Sequence, residues 1–516
     1  MLAHNATFWG RSFGVLEGRT ASALVFGAAV AAALLLVVTL VAVRWVQKPV
    51  LVFLLILSAV TSYYMDALGV MIDRDMIQNA ATTTMAESRH LITWPMVRHV
   101  LLFGFLPALA VLWLRVRPQG FLRGAAGWAA MSAGAAALCI GLLFTDFKGY
   151  SIVLREHKEV LGSVQPLAPL SATLRYAKLM MRSQAIVLQP TGQDAAPGRY
   201  LAAAKKPVLM VIVAGETGRA ANWSLNGYAR NTNPELAKRD ILYYPDAVSC
   251  GTATATSLPC MFSPLTQAEY SYEGGLGTEN LLDVLARAGF KVEWWDNNTG
   301  DKAIAARLPV RFMTAADGAE FCTPECIDGV FLARLQMVAD TMTENTVIVL
   351  HQIGSHGPSY WLRYPPEREI FSPACKTAEL TDCTTEEIVN AYDNTIAYTD
   401  YFLASVIDRI DAADRVIPAM FYVSDHGESL GEDGLYLHGA PYFMAPDVQT
   451  HVPMVIWMAE RFSTALGLDQ PCMKRQIGGQ TSQDNIFSTV LDLLDVVTVA
   501  ENEALDLADP CRDKSG

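Results

Sequence analysis

The stretch A-M-F-Y-V-S-D-H-G-E-S-L-G-E, Ala419 to Glu432, decides the fold. Its apolar run, Ala419 to Val423, has the length of a buried strand and gives way at once to Ser, Asp, His and Glu. Working outward, the same grammar recurs. Val208 to Val213 runs into A-G-E-T and delivers Glu216, and Thr346 to Leu350 runs into H-Q-I-G-S-H-G and delivers His351 and His356. Lys291 to Trp295 and Pro453 to Met458 read as further strands, with helical stretches between. Strands alternating with helices predict an α/β domain on a mostly parallel sheet, whose chemistry gathers where strands end and loops begin.

The residues at those ends are Glu216, His351, His356, Asp425, His426 and Glu428, and His438 follows in Y-L-H-G. One histidine alone is more often structural than catalytic. Acidic and imidazole groups at three successive strand ends are much harder to explain by packing. Glu216, Asp425 and His426 with a threonine oxygen make a four-coordinate set of the kind that suits zinc. A hydroxyl source lies in V-S-C-G-T-A-T-A-T-S-L-P-C-M-F-S, Val248 to Ser263. Its small hydroxyl residues open a helix expected over Thr254 to Met261, where unpaired backbone amides favour a developing alkoxide or a phosphate. A helix cap beside a disulfide explains the same letters, and from this stretch alone the two readings stand level.

Cysteine placement speaks to compartment. Cys139 lies in an apolar span, whereas Cys250 with Cys260, Cys322 with Cys326 and Cys375 with Cys383 form close pairs in the mixed-composition part. Local disulfides in an oxidising compartment are preferred to zinc knuckles, because only Cys322 to Cys326 approaches knuckle spacing and no second knuckle accompanies it. Cys472 with Cys511 is a weaker fourth pair. A net charge of −13 argues against a nucleic-acid partner. The 52% apolar content and mean hydropathy of +0.23 call for a membrane portion.

That portion is expected over residues 1–162, with spanning helices at Thr20 to Val43, Pro49 to Met65, Val100 to Leu114 and Gly124 to Thr145. Arg44 and Lys48 join the first two, and Arg115, Arg117 and Arg123 join the last two. Both loops should therefore be cytoplasmic, leaving the N-terminus, the loop from Asp66 to Arg98 and everything after Asp146 outside. Asn79, Thr83 and Glu87 are four apart and would share one helix face, either merely solvated or holding a lipid headgroup. Residues 163–206 read as amphipathic segments and then a flexible Pro- and Gly-containing tether, and residues 207–516 as the outer domain.

Together these motifs resemble the phosphoethanolamine transferases that modify lipid A, including the mobile colistin-resistance enzymes, within the alkaline phosphatase and sulfatase superfamily. The resemblance is carried by Y-Y-M-D-A-L-G-V-M-I-D-R-D-M-I-Q-N in the membrane part, then A-G-E-T, S-C-G-T-A-T, G-S-H-G-P and S-D-H-G-E-S-L-G-E. It implies Thr254 as nucleophile, with Thr252 ranked second, and zinc on Glu216, Thr254, Asp425 and His426. One zinc ion is expected to bind tightly. His356 and His438, with Glu428 beside them, are assigned either to a second metal ion or to handling of phosphate and headgroup. Lys302 is implied as a phosphate contact, and Asn298, Asn79, Thr83 and Glu87 as substrate contacts. The implied reaction takes phosphoethanolamine from phosphatidylethanolamine to a lipid A phosphate through a covalent threonine intermediate. It would be carried out by a monomer in the bacterial inner membrane with its catalytic domain in the periplasm, and would confer polymyxin resistance.

There are departures and rivals. Between Asn298 and Pro309 relatives usually carry Cys-Lys-Gly, whereas this chain reads T-G-D-K-A-I-A-A-R-L, which keeps Lys302 and rules out a disulfide there. Relatives also begin with one more spanning helix, so that Met1 to Arg11 resembles what normally follows it. Rival readings are transfer to a core sugar of lipopolysaccharide or another periplasmic glycan, a sulfatase or phosphodiesterase that releases product to water, and a catalytically silent headgroup sensor. Cys250-Gly251-Thr252 lacks the Pro and Arg that follow a sulfatase nucleophile.

Overall fold

The computed structural model describes residues 3–42, 45–83, 85–115, 120–183 and 185–513. Arg44 and Arg117 of the expected cytoplasmic loops lie outside the described residues, as does the side chain of Glu87. The chain divides into two compact units, Met1–Ile77 with Ile92–Ala177, and Gln78–Leu91 with Lys178–Gly516.

The first unit holds four helices long and apolar enough to cross a membrane: α1 (Thr20–Leu40), α2 (Gln47–Leu68), α3 (Trp94–Trp113) and α4 (Phe121–Phe144). Large apolar side chains such as Leu102, Leu109, Leu138 and Ile140 are exposed on them, as a hydrocarbon-facing surface requires. The third helix begins earlier than its apolar run. Thr93 caps it by accepting from the Met96 amide, and Pro95 sits in the first turn, where a missing N–H costs nothing. Further along, Val100–Phe105 widens into a π-type turn ahead of Pro107. Proline cannot donate to the Phe103 carbonyl, and His4 Nε2 meets that carbonyl at 3.1 Å.

In the second unit, eight strands form one sheet. In chain order they are β1 (Val208–Gly215), β2 (Ile241–Val248), β3 (Lys291–Asp296), β4 (Val310–Phe312), β5 (Thr346–His351), β6 (Ile417–Ser424), β7 (His451–Met458) and β8 (Thr481–Ser482). Their order across the sheet is β8-β2-β7-β6-β1-β5-β3-β4, and only β7 runs antiparallel to its neighbours. Every residue of β1, β5 and β6 is buried, which explains their unbroken apolar sequence. Helix α5 (Thr254–Met261) follows β2, and the long helix α6 (Thr385–Asp411), opened by a Thr384/Glu387 capping box, packs most of its length into the core.

Register places the chemistry. Gly215 pairs with Ser424, Ala214 with His351, and His351 with Asp296. Glu216, His351, Asp425 and Asp296 are thereby brought to one carboxyl edge, as open α/β sheets generally arrange their ligand sites. Four cysteine pairs are joined: Cys250–Cys260, Cys322–Cys326, Cys375–Cys383 and Cys472–Cys511. Residues 189–199 are fastened along their length to this unit. Gln189 donates its amide to the Gly277 carbonyl at 2.7 Å, Gly198 donates to the Asp495 carbonyl at 2.6 Å, and Ala196 and Pro197 pair with Val497 and Val496.

Candidate active site

Thr254 is the first helical residue of α5, with Ala253 in extended backbone before it. Its hydroxyl donates toward Glu216, 3.1 Å from Oε2 and 3.3 Å from Oε1, and lies 3.3 Å from His426 Nε2. His426 Nε2 is also 3.4 Å from Glu216 Oε1 and 3.3 Å from Asp425 Oδ2. Glu216, Asp425 and His426 each offer one atom within 4.8 Å of the others, and all three are buried. The four expected ligands are thus together.

The donor chemistry of this cluster can be tested for fit to a cation. His426 Nδ1 is 2.9 Å from the Gly427 carbonyl, so the ring proton belongs there and Nε2 presents a lone pair inward. Asp425 Oδ1 accepts the amides of Thr217 and His426, while Oδ2 is buried with no hydrogen-bond partner among the described residues. Three acceptors therefore face one another with the Thr254 hydroxyl as the one donor among them, an arrangement too costly to bury without a positive charge at its centre. The set fits zinc. Burial, joined by the charge of Glu216, pushes Asp425 up to about 6. Burial would raise Glu216 as well, but when the imidazoles of His356, His426 and His438 are protonated their charge outweighs it and holds Glu216 at about 2.

Behind the ligands stand residues that hold them. Thr217, at φ 58°, donates its hydroxyl to Glu216 Oε1 at 2.6 Å. Asn298 Nδ2 donates to Glu216 Oε2 at 2.8 Å and lies 3.2 Å from His351 Nε2. His351 Nδ1 in turn meets Asp296 Oδ2 at 2.8 Å. His351 is thus turned toward Asp296 and Asn298, in the row behind Glu216. Gln483 ties the two halves of the site: it accepts from the Cys250 amide at 2.7 Å and the Ser257 hydroxyl at 2.8 Å, and donates to the Ser424 and Asp425 carbonyls at 2.8 and 2.9 Å.

A second set surrounds His438. Its ring centroid lies 4.3 Å from that of His426 and 5.6 Å from that of His356. Its Nδ1 meets Glu428 Oε2 at 2.8 Å, and Tyr360 donates its hydroxyl to Glu428 Oε1 at 2.5 Å. Burial pushes Glu428 up to about 8. Thr252 is turned away from the ligands and donates to the Ala440 carbonyl at 2.6 Å. Lys302, in a positive-φ turn, donates to the Thr299 carbonyl at 2.9 Å.

The membrane-side stripe is placed differently from its expected single face. Asn79 lies on the short helix Arg74–Thr82, Thr83 lies just past its end with its hydroxyl on the Asn79 carbonyl, and residue 87 belongs to the next helix, Met85–Leu91. Thr83 supplies the reason, since a β-branched residue whose hydroxyl bonds the backbone favours a helix end.

Comparison with known proteins fixes the lineage. The chain is 38% identical over 481 residues to the phosphoethanolamine transferase EptA of Escherichia coli K12, covering 92% of this chain and 88% of that one. It belongs to the phosphoethanolamine transferase family. The transferase matches the family Phosphoethanolamine transferase EptA/EptB over residues 30–181 and the family Sulfatase over residues 209–496. It is 35% identical over 499 residues to the phosphatidylethanolamine transferase Mcr-1 of E. coli, with 92% and 88% of the two chains covered. Its structure is similar to that of the integral membrane lipooligosaccharide phosphoethanolamine transferase A from Neisseria meningitidis, with a TM-score of 0.95 and 34% identity, over 99% of this chain and 96% of that one. Four apolar helices and a domain of the alkaline phosphatase and sulfatase type are therefore the architecture of this family member.

Proposed function

We propose that this transferase moves phosphoethanolamine from phosphatidylethanolamine to a phosphate of lipid A, with Thr254 as the covalent carrier. The observation that supports it is the convergence of the Thr254 hydroxyl with Glu216, Asp425 and His426 at the sheet edge. These four would hold zinc, which when bound lowers the pKa of a hydroxyl beside it and offsets negative charge on phosphate.

In the first half-reaction Thr254 Oγ1 gives up its proton and forms a bond to phosphorus, the bond from phosphorus to the glycerol oxygen breaks, and the proton balance is kept by the one that the glycerol oxygen takes up. Diacylglycerol departs after taking a proton. His438, held through Nδ1 by Glu428, is placed to give that proton from Nε2. In the second half-reaction a lipid A phosphate oxygen gives up its proton and bonds to phosphorus, the Thr254–phosphorus bond breaks, and Oγ1 takes up that proton. His356 and Lys302 steady the non-bridging oxygens. Asn298 orients Glu216, and Asn79, Thr83 and Glu87 belong to headgroup binding. The enzyme acts as a monomer in the inner membrane with its catalytic domain in the periplasm, where the four joined cysteine pairs are stable. Both substrates are membrane lipids, which is why a hydrophilic catalytic domain carries apolar helices. An added ammonium offsets phosphate charge and weakens attraction for polycationic peptides such as polymyxins.

The test is mass spectrometry of lipid A from cells expressing this chain or its Thr254→Ala variant, with polymyxin susceptibility measured alongside. Phosphoethanolamine on lipid A with the wild type alone is expected. Unmodified lipid A with the wild type would remove the acceptor, and modification that persists with the variant would remove the nucleophile.

A further inference from the structure

Outside the active site, three carboxylates converge near the C-terminus. Asp492 lies on the helix Asn485–Leu493, Glu501 in the turn that follows the short strand Val496–Val497, and Asp506 just after the turn Glu503–Leu505. Each offers an oxygen within 4.8 Å of the other two. Asp492 and Asp506 are more than nine-tenths buried, and Glu501 is partly exposed. Asp492 Oδ1 accepts from Arg512 Nε at 2.5 Å, and Asp506 Oδ1 accepts the Ala508 amide at 2.8 Å. The other oxygen of each, Asp492 Oδ2 and Asp506 Oδ2, is buried and receives no donor from outside the cluster among the described residues; there Asp506 meets the carboxyl groups of Asp492 and Glu501.

Charge makes this arrangement costly as it stands. Among the described residues Arg512 is the cation paired with the cluster, and it also faces Asp495 at 3.5 Å. Asp509 adds further negative charge nearby. Three carboxyl groups against one guanidinium would carry excess negative charge in a largely dry setting unless a proton or a cation joins them. Burial, with Asp492 and Glu501 close by, pushes Asp506 up to about 9, and burial beside Asp492 pushes Glu501 up to about 6.

We propose that Asp492, Glu501 and Asp506 form a divalent-cation site of the calcium type, which fastens the C-terminal segment to the helix Asn485–Leu493. Oxygens bound at about 2.3–2.6 Å to one ion lie up to roughly 5 Å apart, which the observed spacing meets. An all-oxygen set drawn from a helix and two turns suits calcium, which tolerates irregular coordination, better than magnesium, which demands a near-ideal octahedron. The absence of imidazole and thiolate from the set separates it from the zinc chemistry of the active site. Glu501, partly exposed, marks the side from which the ion enters. The segment it fastens, residues 501–511, ends at the Cys472–Cys511 disulfide, so the ion would secure the stretch between that covalent tie and the sheet.

The test uses the purified full chain in detergent, zinc-loaded and desalted without chelator, with calcium chloride alone as the probe and thermal unfolding as the readout. Saturating calcium is expected to raise the midpoint of the wild type by about 3 °C. Asp506→Asn should lose that response while melting no lower than the wild type in calcium-free buffer, because it removes a buried repulsion. Glu501→Gln, a gentler change at a partly exposed position, should weaken calcium binding at least tenfold. A wild type indifferent to calcium and magnesium up to roughly 5 mM would overturn the site. So would equal calcium shifts in both variants, and so would a midpoint that follows pH alone, which would assign the cluster to shared protons.

Discussion

Replacing Gln483 by leucine tests whether Thr254 and the proposed metal ligands Asp425 and His426 are held in register by one side chain. The Gln483 amide group is enclosed and makes four hydrogen bonds, one to Cys250 in the loop before Thr254, one to Ser257 within α5 and two to the end of β6. Leucine of similar volume fills the space but leaves the Cys250 amide as a buried donor without an acceptor. At about 1 kcal/mol for each of the four bonds lost, and with about 1–3 kcal/mol more for the stranded donor, the cost is about 5–7 kcal/mol. Urea unfolding of the periplasmic part, followed by tryptophan fluorescence, should register that loss. Turnover should fall about a hundredfold, with a smaller change in KM, because displacement of about 1 Å between Thr254 and Asp425 is enough to spoil alignment. Gln483→Glu keeps both acceptor roles and turns both donations into repulsions, so it should be at least as damaging. Unfolding free energy within about 1 kcal/mol of wild type, with turnover within about twofold, would refute the reasoning.

Other consequences can be measured separately. His438→Ala should lower kcat about a hundredfold while KM for phosphatidylethanolamine changes little, since the side chain is assigned to proton transfer. Removing the Cys472–Cys511 bridge with paired serines, which opens a loop with a sequence separation of 39, should cost about 4 kcal/mol of stability and leave kcat near wild type. Burial pushes Asp400 up to about 6, although the Glu235 and Leu236 amides that it accepts oppose the shift. Its stabilising contribution is therefore complete below its unfolded pKa near 4 and fades as pH rises through about 6, and Asp400→Asn should flatten the fall in melting temperature across that window.

Much of this architecture was legible because the central strands are buried on both faces. Unbroken apolar runs give away β1, β5 and β6, and the first polar residue after each points to the edge where Glu216, His351 and Asp425 stand. The edge strands gave no such signal: β4 is the exposed V-R-F and β8 only Thr481–Ser482, both too short for periodicity to register. Within the site, the ligands stood out by residue type, whereas Gln483, Thr217, Tyr360 and Asp296 are ordinary residues whose role comes from tertiary placement. His351 shows the limit of the pattern, since it shares the strand-end position yet turns to Asp296. The polar stripe at Asn79 does not form a single face, because a spacing of four carries no information on where a helix ends, and this one ends at Thr82.

The most direct measurement is the mass of the active-site peptide after purified wild type meets phosphatidylethanolamine with no acceptor present and the reaction is quenched in acid. One phosphoethanolamine on Thr254, removed when lipid A is added and never formed in Thr254→Ala, is the predicted result. An unmodified Thr254 while diacylglycerol is released, or the group found on Thr252, would contradict it.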